Sequence, residues 1–137
     1  MLEPLLSYTP YVAFAARVMF GATLIIHGRP KLNKERRAKT IANFRAQGVP
    51  PTAVILGVVL EFFGGLFLVL GLIVPVVAAF EATYFLSIVV TKRTKENAKF
   101  VAFGKPNYEL EAFFVLISLV LAVLGAGALS IDGLIGL

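Results

Sequence analysis

Apolar positions along the chain gather into four long stretches, residues 10–27, 52–74, 75–91 and 108–125, separated by segments in which charged residues crowd together. A bilayer span needs about 17–25 mostly apolar residues, so each stretch predicts a membrane helix. The second and third run into one another and are together too long for a single span. Within "GLIVPVV" (71–77), Pro75 cannot continue a helix interior and Gly71 loosens the turn before it, so a tight hairpin is expected there. The third stretch is short, and Lys92 and Arg93 at its end are expected to snorkel toward the interface. The pattern therefore predicts an all-α integral membrane four-helix bundle, a single transmembrane domain over residues 1–137.

Composition agrees with that pattern. Apolar residues make up 58% of the chain and charged residues only 15%, and the mean hydropathy of +0.87 lies outside the range of soluble globular proteins. Twelve of the 13 Lys and Arg residues fall in two loops, 28–51 and 92–107, and the other is Arg17. Four spans place both loops on one side, which the positive-inside rule makes cytoplasmic, with both termini facing outward and the cytoplasmic membrane as the location. Membrane lipid accounts for the basic balance, and without interleaved aromatic residues no nucleic-acid partner is predicted. The positive charges follow the first apolar run, so that run reads as a retained span and not a cleaved signal.

Several chemistries are excluded early. The chain has no cysteine and one histidine, His27, so neither a disulfide, a thiolate site nor a metal cluster is predicted. No dinucleotide fingerprint, phosphate loop or haem-attachment spacing is present, and Gly64–Gly65 reads as a helix-packing element.

What remains is a set of ionisable residues inside apolar stretches. At about 100° per residue, Gly57, Glu61, Gly64, Leu68 and Gly71 share one arc of the second helix. Small residues let membrane helices approach, so Glu61 is expected to face another helix. Ala13, Arg17, Gly21, Leu24 and Gly28 share a face of the first helix, and Glu111, Val115, Ser118, Ala122 and Gly125 a face of the fourth. Glu81 lines up with Tyr84, Phe85 and Ile88 on a bulkier face of the third.

By depth, an Arg17–Glu81 pair is the first expectation, with Arg17–Glu61 within reach of the long arginine. Either would offset a buried-charge cost of about 2.5–3.5 kcal/mol per residue. His27, Lys31, Tyr108, Glu109 and Glu111 gather toward the basic end. A carboxyl group in apolar surroundings can carry a proton, and His27, Tyr108 and Lys31 can donate hydrogen bonds to a carbonyl oxygen. A quinone head group, with two carbonyls and a requirement for two protons, suits such a set. Each residue also has a structural reading: Arg17, Glu61, Glu81 and Glu111 as helix-locking polar groups, His27 as a helix cap, and Tyr108 as an interfacial belt residue.

The segments "RVMFGATLIIHGRPKL" (17–32), "FRAQGVPPTAVILGVVLEFFGGLFLVLGLIVP" (44–75), "YEL" (108–110) and "GAGALSID" (125–132) resemble, in order and spacing, the DoxX family of small four-helix membrane proteins. That family includes relatives of the membrane subunit of thiosulfate:quinone oxidoreductase. The resemblance implies a quinone-linked role and points to Arg17, His27, Lys31, Glu61, Tyr108 and Glu109. It favours Glu109, whereas the small-residue face favours Glu111, and the two lie about 200° apart on a helix. Ala128 and Leu129 stand where the family's terminal pattern has a basic and an aromatic residue, which argues against thiosulfate as the substrate.

The expected function is a quinone-interacting subunit of a membrane oxidoreductase. In it Glu61 and His27 handle protons, while Arg17, Lys31, Tyr108 and Glu109 bind or orient the ligand, and Glu81 and Glu111 are structural polar groups. Quinone is the expected cofactor, without metal or nucleotide. Other membrane-associated subunits, or further copies of this chain, are the expected partners, because an electron donor must come from outside it. The alternatives are a non-catalytic accessory or assembly subunit of a respiratory-type complex and a small proton-coupled transporter.

Overall fold

Proline and glycine set the helix boundaries in the computed structural model, which describes residues 2–137. A short α1 (Glu3–Leu6) leads into α2 (Thr9–Gly28), which has Pro10 in its first turn, where a missing N–H leaves no bond unmade. A 3-10 turn, Arg29–Leu32, follows and carries Lys31. Asn33 then caps α3 (Lys34–Arg45), its side chain accepting from the Glu35 and Arg36 N–H groups at 2.9 and 3.4 Å. Pro50 and Pro51 open α4 (Pro51–Val59), which passes through a π-helical turn, Leu60–Gly64, into α5 (Gly65–Leu70).

The expected hairpin lies between α5 and α6 (Val74–Lys95). Gly71 ends α5 in the left-handed region at φ +72°, and the Leu72 N–H returns to the Phe67 carbonyl at 2.9 Å, a glycine-dependent helix stop. A loop then leads to α7 (Glu109–Leu124), and a short α8 (Ile131–Ile135) follows.

Residues Thr9–Leu32, Pro51–Leu70 and Val74–Lys95 are each long and apolar enough to cross a membrane. The expected fourth span rests on α7, whose 16 residues extend about 24 Å, shorter than a hydrocarbon core of about 30 Å. Exposed apolar side chains such as Val12, Met19, Ile26, Phe80, Leu116 and Val123 coat the outside of these helices. That is the surface lipid requires, and water would disfavour it.

Glycines determine how closely the helices meet. A Cβ on Gly21 of α2 would stand 2.6 Å from the Gly65 carbonyl oxygen, and one on Gly65 would stand 2.7 Å from that of Gly21, so the two backbones touch. Gly28 rests in the same way against Glu61 and Phe62 of the π-helical turn. The neighbouring Gly64 faces elsewhere, toward Glu81 of α6. The π-helical turn gives way to α5 at this pair, with Gly64 seated on α6 and Gly65 on α2. Inside the bundle, Leu24, Leu68, Val74, Ala78 and Leu121 are fully buried, and Phe114 of α7 meets Phe20 and Phe85 at ring separations of 5.3 and 4.9 Å.

Candidate functional site

Buried polar groups collect at two levels, one at the hairpin end of the bundle and one at the end that carries the basic loops. At the hairpin end Arg17 is 1% exposed. Its guanidinium donates to the Leu68 and Val69 carbonyls at 2.6 and 2.7 Å and to the Leu129 carbonyl at 2.6 Å. These bonds correct the expected Arg17–Glu81 or Arg17–Glu61 pair. Near the end of α5 the Leu68 carbonyl also accepts from the Gly71 N–H at 3.2 Å, whereas the Val69 carbonyl is served from the side by this buried arginine and its several fixed donors.

Asp132 completes this end, and its role was not foreseen. Its carboxylate accepts from the Ile73 and Val74 N–H groups at 2.7 and 3.0 Å, capping α6, while its own N–H donates to the Gly71 carbonyl at 2.9 Å. Ile73 has φ +44°, unusual for a β-branched residue, and the Asp132 contacts hold it there. Arg17 and Asp132 thus fasten the same hairpin, one on its incoming helix and one on its outgoing helix. Both lie away from the cavity at the other end.

That cavity, about 480 Å³, is bounded by α3, α4, the π-helical turn, α6 and α7. Glu61, 3% exposed, lies in its wall. Its two carboxylate oxygens take the Lys31 ammonium at 2.7 and 2.6 Å, and Oε1 also accepts from the Tyr84 hydroxyl at 2.9 Å. The 3-10 turn after Pro30 turns Lys31 back toward the bundle, and the π-helical turn presents Glu61 to it. A second ion pair, Lys92 to Glu111 at 2.5 Å, lines the same cavity, and Lys92 also donates to the Asn107 carbonyl at 3.1 Å. His27 lines it too, edge-on to Phe114 at 6.2 Å between ring centres.

The cavity therefore brings together His27, Lys31 and Glu61, and adds Tyr84 and Lys92–Glu111. Between the two acidic residues at the start of α7, Glu111 reaches it and Glu109 does not. Tyr108 instead packs against Phe100 at 5.8 Å, beside the loop that joins α6 to α7. Tyr84 escaped the sequence reading, although its place one turn from Glu81 on a shared face was visible. The sequence marks Lys92 only as an interfacial anchor, because its partner Glu111 is 19 positions away.

Glu81 lies one turn from Tyr84 toward the hairpin and is 0% exposed. Among the described residues neither carboxyl oxygen has a hydrogen-bond partner, and Oε1 occupies the space that a Cβ on Gly64 would need. Glu81 therefore packs directly behind the turn that carries Glu61.

The DoxX family profile matches residues 12–93, more than half of the chain. The chain belongs to the DoxX family. The matched region of this DoxX protein contains Arg17, His27, Lys31, Glu61, Glu81, Tyr84 and Lys92, so the Lys31–Glu61–Tyr84 cluster lies wholly inside it. Glu111 and Asp132, the partners supplied by α7 and the C-terminal segment, lie beyond it. Comparison with curated proteins and with solved structures found no match.

Proposed function

We propose that this DoxX protein is the quinone-interacting membrane subunit of an oxidoreductase, with the cavity at Lys31, Glu61 and Tyr84 as its ligand site. The single observation that carries this reading is a buried carboxylate, held by one ammonium and one phenol, in the wall of a mostly apolar cavity. At about 480 Å³ the cavity lies in the size range of small-molecule sites, roughly 300–1,000 Å³. Apolar walls at Leu60, Phe85 and Phe114 suit a ring, and the polar groups converge at one end.

A quinone supplies two-electron, two-proton redox chemistry at a pair of carbonyls. The chain's own residues would then act in distinct ways. Lys31 Nζ holds the Glu61 carboxylate and turns a donor toward a ligand carbonyl. Glu61 Oε2 takes up and returns a proton, and His27, also on the cavity lining, supplies a second donor. Tyr84 fixes the Glu61 rotamer from below. Lys92 and Glu111 hold α6 and α7 together across the same space. Arg17 and Asp132 maintain the hairpin, and through it the angle between the helices that form the walls. The chain is read as four spans with the basic loops on the cytoplasmic side of the cytoplasmic membrane, and the electron donor as a partner subunit or the substrate itself.

The full pairing of Glu61 also favours a second reading, an accessory subunit in which Lys31–Glu61–Tyr84 is a lock between helices. Native mass spectrometry of the protein released gently from its own membranes separates the two. Near-stoichiometric quinone, lost in Lys31→Met and Glu61→Gln variants that still insert and purify, is the expected result. A fixed set of larger proteins without quinone would make this chain an accessory subunit.

A further inference from the structure

α5 and α6 are joined by a turn of only three residues, 71–73, and remain close as far as the contact of Gly64 with Glu81. Toward the basic end α4 and α6 scarcely approach one another. The Tyr84 ring bridges the gap, lying against Gly57 in the space a larger residue would fill. The two helices form a wedge that is closed at the hairpin and open above Glu81.

The cavity passes through that wedge. Its inner end holds the polar groups described above. At its outer end the walls are Leu56 of α4 and Phe80 of α6, 63% and 59% exposed, with the exposed Thr83 and Ser87 beside them. All four residues belong to helices long and apolar enough to cross a membrane, so their exposed faces meet acyl chains. Toward the basic end the cavity is lined by Thr40 and Phe44 of α3 and by Val49. A molecule in the bilayer meets an apolar, exposed flank, whereas the basic end is lined by α3 and by Lys31 and Lys92, 30% and 25% exposed.

We propose that the gap between α4 and α6 is a lateral portal through which a lipid-soluble ligand enters from the bilayer. Its polar ring lies against Lys31, Glu61 and Tyr84, and its long apolar tail runs out between Leu56 and Phe80. The identity of the ring rests on the quinone reading above, but the route does not. Tyr84 stands at the threshold, with its ring in the gap and its hydroxyl on Glu61, so passage and carboxylate orientation involve the same side chain.

The chain contains no tryptophan, so a single introduced one is a clean fluorescent reporter. Ile88→Trp and Phe85→Trp each place it on the cavity wall, and two such variants guard against one that misfolds. Phe20→Trp is a buried control outside the cavity, and Val123→Trp, at a position 86% exposed, is a lipid-facing one. In phosphatidylcholine vesicles brominated at mid-chain, we expect the cavity reporters to lose at least half as much emission as Val123→Trp. Iodide in the water should leave them unchanged, and adding Thr83→Phe should return Ile88→Trp to the level of Phe20→Trp. Cavity reporters that match Phe20→Trp in brominated lipid, or that iodide quenches, would overturn the portal. Bromolipid quenching in a protein that retains no decyl-tailed benzoquinone would support the portal while removing the quinone reading.

Discussion

The Tyr84 hydroxyl donates to Glu61 Oε1 at 2.9 Å, and the same ring fills the space that Gly57 leaves empty. One aromatic residue therefore joins α6 to the carboxylate of the π-helical turn and to the backbone of α4. The two contacts can be separated. Tyr84→Phe keeps the ring and loses the hydroxyl, for an expected loss of about 1 kcal/mol, since polar contacts in membranes average about 0.6 and reach about 1.7. Gly57→Leu must displace the ring and should lower the thermal midpoint in detergent considerably more. Equal effects from the two would mean that the ring is not seated on Gly57.

Much of this arrangement was legible in the sequence, and the part that was not has a physical reason. Apolar run lengths gave the long helices, and the proline and glycine of "GLIVPVV" gave the hairpin. The arc of Gly57, Glu61, Gly64, Leu68 and Gly71 gave a buried face, all five of which are buried. Arg17 shows where that reasoning stopped. Ranking side chains by depth treats charge as needing charge, but the ends of buried helices present unsatisfied carbonyls, which have no sequence signature. The π-helical turn was equally hidden, because a period of 3.6 residues cannot register one extra residue. The Lys92–Glu111 pair depends on how α6 meets α7, which no single-helix pattern encodes.

Lys31 and Glu61 should behave as a coupled pair. The Glu61 side chain is 4% exposed and that of Lys31 30%, so removing either partner alone leaves the other charge poorly compensated. Glu61→Gln and Lys31→Met are each expected to destabilise the protein, Lys31→Met by the larger amount because it strands the more buried charge. The double variant should lose less than the sum of the two. A double-mutant cycle by chemical unfolding in detergent is expected to give a coupling of about 1–3 kcal/mol. A cycle that closes to zero would show that the pair contributes no net interaction.

The contact between Gly21 and Gly65 predicts a sharp size limit. Each glycine would bring a Cβ within 2.7 Å of the other's carbonyl oxygen, and backbone atoms cannot move aside as a flexible side chain can. Gly21→Ala and Gly65→Ala should therefore each separate α2 from the π-helical turn and loosen the seat of Gly28 against Glu61. Limited proteolysis in the loop between α2 and α4 is expected to speed up in both variants. The exposed Gly48→Ala is the informative contrast: no atoms stand near its Cβ, so its effect comes from the positive φ of +83° alone and should stay local to the loop. Normal protease resistance in Gly21→Ala would mean that these helices have room to spare.

Arg17 and Asp132 hold opposite sides of one hairpin, and their losses should differ in kind. Arg17→Ala leaves the Val69 and Leu129 carbonyls without the donor that now serves them, at about 1–3 kcal/mol for each group left buried and unsatisfied, while the Leu68 carbonyl keeps the Gly71 N–H. Arg17→Lys keeps the charge but lacks the planar fork that reaches both helix and C-terminal segment, so it should recover only part of the loss. Asp132→Ala releases the Ile73 and Val74 N–H groups and lets Ile73 leave its left-handed conformation, so hydrogen exchange should rise at the start of α6 and not at the end of α5. Arg17→Ala should show the reverse emphasis, with exchange rising at the end of α5 and around residues 129–132 as that segment detaches. If both variants open the whole hairpin alike, the two fastenings act as a single latch, and the α4–α6 wedge it closes should widen in both.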